Sequence, residues 1–173
     1  SFCEFTTVTD AKFVGLKNYL RVFSDPTFMH ALWFTALFTI VSVLTINVFA
    51  FVIAMLLTKG IKGTNFFRTV FFMPNLIGGI VLGYIWQILL NGILGHFGRT
   101  LTYSSSYGFW GLIILMNWQQ VGYMMIIYIA GLQNVSDDLI EAAAIDGASP
   151  WETLWKVKLP MVMPSITICV FLT

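Results

Sequence analysis

The chain has 173 residues, of which 58% are hydrophobic and 10% charged, and its mean hydropathy is +0.84. Soluble domains carry about 25% charged residues, so this composition excludes an ordinary soluble globular fold. A net charge of +1 gives no footing for a nucleic-acid partner.

All nine Lys/Arg and all eight Asp/Glu fall outside three apolar runs, 28–58, 69–95 and 109–133. Each run exceeds the roughly 20 residues that a helix needs to cross a hydrocarbon core. The fold class expected is therefore all-α: a polytopic transmembrane helix bundle in a lipid bilayer. Cys3 and Cys169 lie far apart and have no metal-ligand companions, so two unpaired thiols and no metal site are expected.

Taken in order, residues 1–27 form a mixed segment carrying Asp10, Lys12, Lys17, Arg21 and Asp25. Ser1-Phe2-Cys3-Glu4-Phe5 is too polar for a signal peptide. Val14, Leu16, Tyr19, Leu20 and Phe23 are spaced for a short amphipathic helix at an interface. Two readings stand open for it: a connecting helix that shields the bundle end, or a docking element for an external partner.

The first span runs over about 28–58. Its Thr35, Thr39 and Ser42 lie within about 40° of one direction on a helical wheel, the small-residue stripe of helix packing. Lys59-Gly60-Ile61-Lys62-Gly63 and Arg68 make a short basic loop of the kind that stays cytoplasmic. The second span, about 66–90, contains Pro74, which should kink or break it and free a carbonyl. Gly79-x-x-x-Gly83 offers a face for close helix contact. Asn75 and Trp86 fall about 20° apart on an unbroken wheel and would line a cavity near the proline.

Residues 91–107 form an external turn with a solvated His96, Arg99 and Ser104-Ser105-Ser106. The third span, about 109–132, is the most polar. Asn117, Gln119, Gln120 and Tyr123 share an arc of about 160°. Polar side chains are costly in hydrocarbon, so this face should look into the bundle or a wet cavity. Amides and phenols suit hydroxyl-rich neutral ligands, and Trp118 and Tyr123 offer aromatic faces to sugar C–H surfaces. Interhelical hydrogen bonding without a ligand is the alternative.

Residues 133–160 then form a polar island. Ser136 can cap a helix whose first turn holds Asp137 and Asp138, facing the positive end of the dipole. Gly147 stands where a left-handed residue would end it. Ser149-Pro150-Trp151-Glu152 reads as a capping box with proline at the first helical position. The alanine run 142–144 lets another protein approach the backbone. The result is a helix-break-helix knuckle, followed by Trp151 and Trp155 at the membrane interface and a fourth span, 160–173, opened by Leu159-Pro160 and Pro164 and left incomplete.

Glu141-Ala142-Ala143, Asp146-Gly147-Ala148 and Leu159-Pro160 resemble the EAA loop of binding-protein-dependent ABC importer permeases. The Glu-Ala-Ala-x-x-Asp-Gly-Ala form is similar to that of their carbohydrate-type, maltose/multiple-sugar branch. Phe13-Val14-Gly15-Leu16-Lys17-Asn18-Tyr19, Asp25-Pro26, Phe67-Arg68, Met73-Pro74 and Ala130-Gly131-Leu132-Gln133 extend the resemblance over nearly the whole chain. Both ends read as cut, since the chain stops in mid-run at Val170-Phe171-Leu172-Thr173; against that family it is expected to be a core fragment.

The resemblance implies a type I importer fold and a multi-pass permease subunit in a bacterial or archaeal plasma membrane. Its partners would be a second permease subunit, two ATPase subunits and an extracellular or periplasmic solute-binding protein. Glu141, Ala142, Ala143, Asp146 and Gly147 would seat the ATPase. Asn75, Trp86, Asn117, Trp118, Gln119, Gln120 and Tyr123 would line the path of a sugar or oligosaccharide, with a polyol or sugar phosphate as the alternative. The chain carries no phosphate-cradling Gly-x-x-x-x-Gly-Lys-Ser/Thr loop, so ATP and Mg would belong to the partner ATPase and no cofactor to this chain. No paired carboxylates or Ser/His/Asp set lie in a span, which leaves an enzyme without its acid–base group. Apart from His30 the three apolar runs hold no ionisable residue of the kind an ion-coupled carrier uses.

Overall fold

The computed structural model describes residues 2–4 and 12–173; residues 1 and 5–11, with Asp10 of the N-terminal segment, lie outside the described residues. The chain divides into two compact units, Ser1–Ile40 and Val41–Thr173. In the first, a two-residue ladder pairs β1 (Cys3–Glu4) with β2 (Lys12–Phe13), and α1 (Lys17–Phe23) follows. The rings of Phe2 and Tyr19 meet at 5.6 Å. Asn18 donates from Nδ2 to the Cys3 carbonyl at 3.0 Å. Helix α2 (Pro26–Leu57) begins in this unit, where Thr35 and Thr39 are exposed. The stripe expected at Thr35, Thr39 and Ser42 is thus not a packing stripe over its whole length: only Ser42 is buried.

In the second unit, α2 buries Ser42, Ile46, Ala50, Ala54 and Leu57, a row of four- and three-residue steps along one side of the helix. Two alanines in that row keep the approach short. The partners are α5 (Ser105–Gln133), through Val121, Met124, Met125, Tyr128 and Ile129, and α8 (Leu159–Leu172), through Val162 and Cys169. Tyr128 joins this core without orphaning its hydroxyl, which donates to Asn47 Oδ1 at 2.7 Å. Asn47 donates in turn to the Val43 carbonyl at 2.8 Å and to Thr173 Oγ1 at 3.2 Å. One polar chain therefore ties α2, α5 and the end of α8 together beside an apolar core, with the buried Tyr128 hydroxyl satisfied by a half-buried Asn47.

The second apolar run is not one helix. It folds as α3 (Thr64–Phe72), a 3₁₀ turn (Met73–Leu76) and α4 (Gly79–Gly95), with a 99° bend between the halves. Pro74 supplies the break, as it has no N–H to continue the ladder. The unbroken wheel that paired Asn75 with Trp86 consequently does not exist. Gly79-x-x-x-Gly83 meets no neighbour either: a Cβ at Gly78, Gly79 or Gly83 would touch nothing within 4 Å. The close approach is made at Gly122, where a Cβ would collide with the backbone carbonyl of Phe71. Its missing side chain seats the break directly on α5.

Beyond α5 the chain forms α6 (Asp137–Ile145) and α7 (Pro150–Thr153), followed by a π-turn (Leu154–Lys158) that leads into α8. Leu159-Pro160 does not open a separate helix. Residues Pro150–Leu172 run as one helix of 23 residues. The π-turn just ahead of Pro160 explains why: widening the coil there absorbs a residue that can donate no hydrogen bond and whose ring crowds the preceding turn. Among the described residues, three helices are long and apolar enough to cross a membrane (Pro26–Leu57, Ser105–Gln133 and Pro150–Leu172), or four with the bent pair.

Candidate functional site

Two places in the second unit carry the residues singled out by sequence. The first is the break itself. Asn75, in the 3₁₀ turn, donates from Nδ2 to Gln120 Oε1 at 3.3 Å. Trp86 of α4 meets Trp118 of α5 edge-on, centroids 5.5 Å apart. Phe72, the last residue of α3, lies over Tyr123 at 6.5 Å. The bend thus lays one polar and two aromatic contacts along a single stretch of α5, and it does so by folding the chain back rather than by sharing a wheel. Trp118 and Tyr123 remain partly open, at 43% and 37% exposure.

Asn117 behaves differently. Its Nδ2 donates to Thr45 Oγ1 at 3.0 Å and to the Ile113 carbonyl at 2.8 Å. It is a strut between α2 and α5. Its Oδ1 and the hydroxyl of Ser42 are buried without a hydrogen-bond partner. Gln119 is half-buried, and its side chain makes no hydrogen bond among the described residues. Of the seven pathway candidates, Asn75, Gln120, Trp86, Trp118 and Tyr123 are brought together; Asn117 faces the α2 seam.

The second place is the knuckle. Ser136 caps α6 by accepting from the Asp138 amide at 3.2 Å, with Asp137 and Asp138 in the first turn. The helix ends on Gly147 at φ +79°. The Gly147 amide donates to Ala144 O at 3.1 Å and the Ala148 amide to Ala143 O at 2.9 Å, a complete Schellman closure. Two residues on, the capping box closes: Ser149 N–H donates to Glu152 Oε2 at 3.0 Å, and Glu152 N–H to Ser149 Oγ at 3.3 Å. Lys156 adds an ion pair to Glu152 at 3.0 Å. Glu141, Ala142, Asp146 and Gly147 are exposed and Ala143 is half-buried.

Ile145 at the corner is 86% exposed. Sequence reading passed over it because an isoleucine in a helical run looks like core. Its signal was its place one turn beyond Glu141 and Ala142, on the same exposed side.

A bent, polar-lined break inside an apolar helix bundle, with a doubly capped knuckle joined to a helix long enough to span, is the architecture of a multi-pass membrane protein. The comparisons agree. Residues 22–173 match the family described as "Binding-protein-dependent transport system inner membrane component", and the chain belongs to that family. It is 38% identical to the "Probable starch degradation products transport system permease protein AmyD" of Thermoanaerobacterium thermosulfurigenes, over all of this chain and 62% of that protein. It is 33% identical to the "Multiple sugar-binding transport system permease protein MsmF" of Streptococcus mutans, over 96% of this chain and 61% of that one. With the "sn-glycerol-3-phosphate transport system permease protein UgpA" of Brucella abortus it shares 29%, over 88% and 55%.

The chain thus spans about three-fifths of the length of the curated relatives it matches. Among solved structures, a bacterial transporter involved in the import of alginate superposes with a TM-score of 0.76 at 20% identity, covering 92% of this chain and 60% of that one. That likeness fixes the fold as the type I importer permease kind.

Proposed function

We propose that this chain is the core of a permease subunit that carries a sugar or oligosaccharide across a bacterial or archaeal plasma membrane, driven by a separate ATPase. Support for the substrate class comes from relatives named for starch products and multiple sugars, and from spans without charge, which suit a neutral hydroxyl-rich solute. Asn75, Gln120, Trp86, Trp118 and Tyr123 would meet the solute, and Asn117 and Gln119 would hold the face that carries them. A solute-binding protein would deliver outside, a second permease subunit would complete the pathway, and of two ATPase subunits one would seat on this knuckle through Glu141, Ala142, Ala143, Asp146 and Gly147. ATP and Mg act on the ATPase, and this chain has no enzymatic role.

The observation that carries the reading is the continuity of the knuckle with Pro150–Leu172. Coupling requires a two-state element that a remote ligand can bias, and a capped helix running unbroken into the bilayer transmits a push at Gly147 to the spans. Glu141→Ala and Gly147→Val test it in the whole transporter. Valine at φ +79° is strongly disfavoured, so the knuckle presents a different surface while the spans insert as before. Expected are normal membrane insertion, reduced ATPase co-purification and loss of hydrolysis stimulated by loaded binding protein. Full stimulated hydrolysis in both variants overturns the coupling role. The relatives named for sn-glycerol-3-phosphate favour a phosphorylated polyol as the second reading, which competition of uptake by that solute against maltodextrins decides.

A further inference from the structure

The end of α2 and the knuckle enclose two adjoining clefts of about 430 and 420 Å³. Lys59, just past α2, and Lys158, at the end of the π-turn, line both. Neither ammonium has an ion-pair or hydrogen-bond partner among the described residues, whose one ion pair is Lys156 with Glu152. The carboxylate that faces them is Asp137, and it lines only the second cleft. Two cations against one anion leave the shared space positive. The wall leading from Lys59 into the span is apolar: Val52 and Leu56 on α2, 43% and 48% exposed. Trp151 and Trp155, 67% and 55% exposed, stand on the same helix as Lys158. Such a pair marks the boundary between hydrocarbon and headgroups; Lys158, one turn further into the span, reaches back to that level through its long stem, and Lys59 stands just past the candidate span Pro26–Leu57, at the same level.

We infer that this cleft binds one anionic phospholipid, its phosphate between Lys59 and Lys158 and its acyl chains along Val52 and Leu56. A protein carboxylate would answer the charge but leave the apolar wall uncovered. A phospholipid offers both in one molecule, and basic sites between helices on the cytoplasmic side are suited to such headgroups.

The test uses the full-length permease with the subunits that co-purify with it, in neutral detergent, titrated with phosphatidylglycerol or phosphatidylcholine and read by native mass spectrometry. Lys59→Gln and Lys158→Gln should each lower phosphatidylglycerol affinity about fivefold, and the double change about twenty-five-fold. Lys62→Gln, in the same loop but outside the cleft, should change nothing, and the double arginine variant should restore binding. Equal phosphatidylglycerol affinity in all variants overturns the site. So does displacement of the lipid by inorganic phosphate, or loss of the ATPase from the double glutamine variant at unchanged lipid affinity, which would assign the lysines to a protein partner. None of these outcomes depends on which solute is carried.

Discussion

At the residue scale, the two amides of α5 separate packing from passage. Asn117 is spent on Thr45 and on the Ile113 carbonyl, and its Oδ1 already lacks a partner. A buried hydrogen bond contributes about 0.5–1.5 kcal/mol, and Asn117→Ala removes the orphan acceptor together with the bond, so its cost should sit near the lower bound. Gln120 instead holds Asn75 at the broken helix. Gln120→Ala should leave the unfolding temperature nearly unchanged and lower uptake per assembled transporter; Asn117→Ala should lower the unfolding temperature by a degree or two with uptake per assembled transporter intact. The reverse pattern would exchange their roles. Periodicity put both residues on one polar arc, yet nothing in the sequence says which carbonyl or hydroxyl each one meets. Gly122 was equally hidden. Its use depends on Phe71, about fifty positions away in chain order yet in contact in space, arriving against its Cα.

At the element scale, what was legible was local. Ser136, Gly147, Ser149 and Glu152 stand at offsets that satisfy helix-end donors and acceptors within a few residues, and all four act as their spacing indicates. Pro74 located the break but not its 99° bend, which is set by the seat on Gly122. Leu159-Pro160 reads as the opening of a fourth span, and α8 does begin at Leu159, but the π-turn ahead of it joins it to the helix of the knuckle, so the span runs on from Pro150. The π-turn that accommodates Pro160 inside a helix has no sequence signature. The local devices also make a quantitative claim. Ser149 both accepts from Glu152 N–H and is held by its carboxylate, so Ser149→Ala should cost about 1 kcal/mol. In hydrogen exchange this reads as about fivefold faster exchange of the Trp151–Thr153 amides, with α5 unaffected. Equal protection would mean that the ion pair of Lys156 with Glu152, and not the cap, holds that end.

At the scale of the whole molecule, the bent pair α3–α4 could cross the bilayer once or dip in and return, and the clefts at the knuckle decide between them. Lys59, at the end of α2, lines the same two clefts as Ile140 and Lys158, so the end of α5 lies on the side where α2 ends. Helix α5 is long and apolar enough to be a full span itself, which puts its start at Ser105 on the opposite side. On that arrangement the chain changes sides between Lys59 and Ser105, and the pair α3–α4 is the element expected to cross. A re-entrant loop would return the chain to its starting side and, after α5, put the knuckle across the membrane from Lys59, tearing the clefts apart. With Cys3 and Cys169 replaced by serine, single cysteines at Lys62 and Ser149 should be labelled only from the cytoplasm in intact cells, and one at Tyr103 only from outside. Labelling of Lys62 and Tyr103 from one side would make the pair re-entrant, and labelling of Lys62 and Ser149 from opposite sides would overturn the seating of the knuckle on α2.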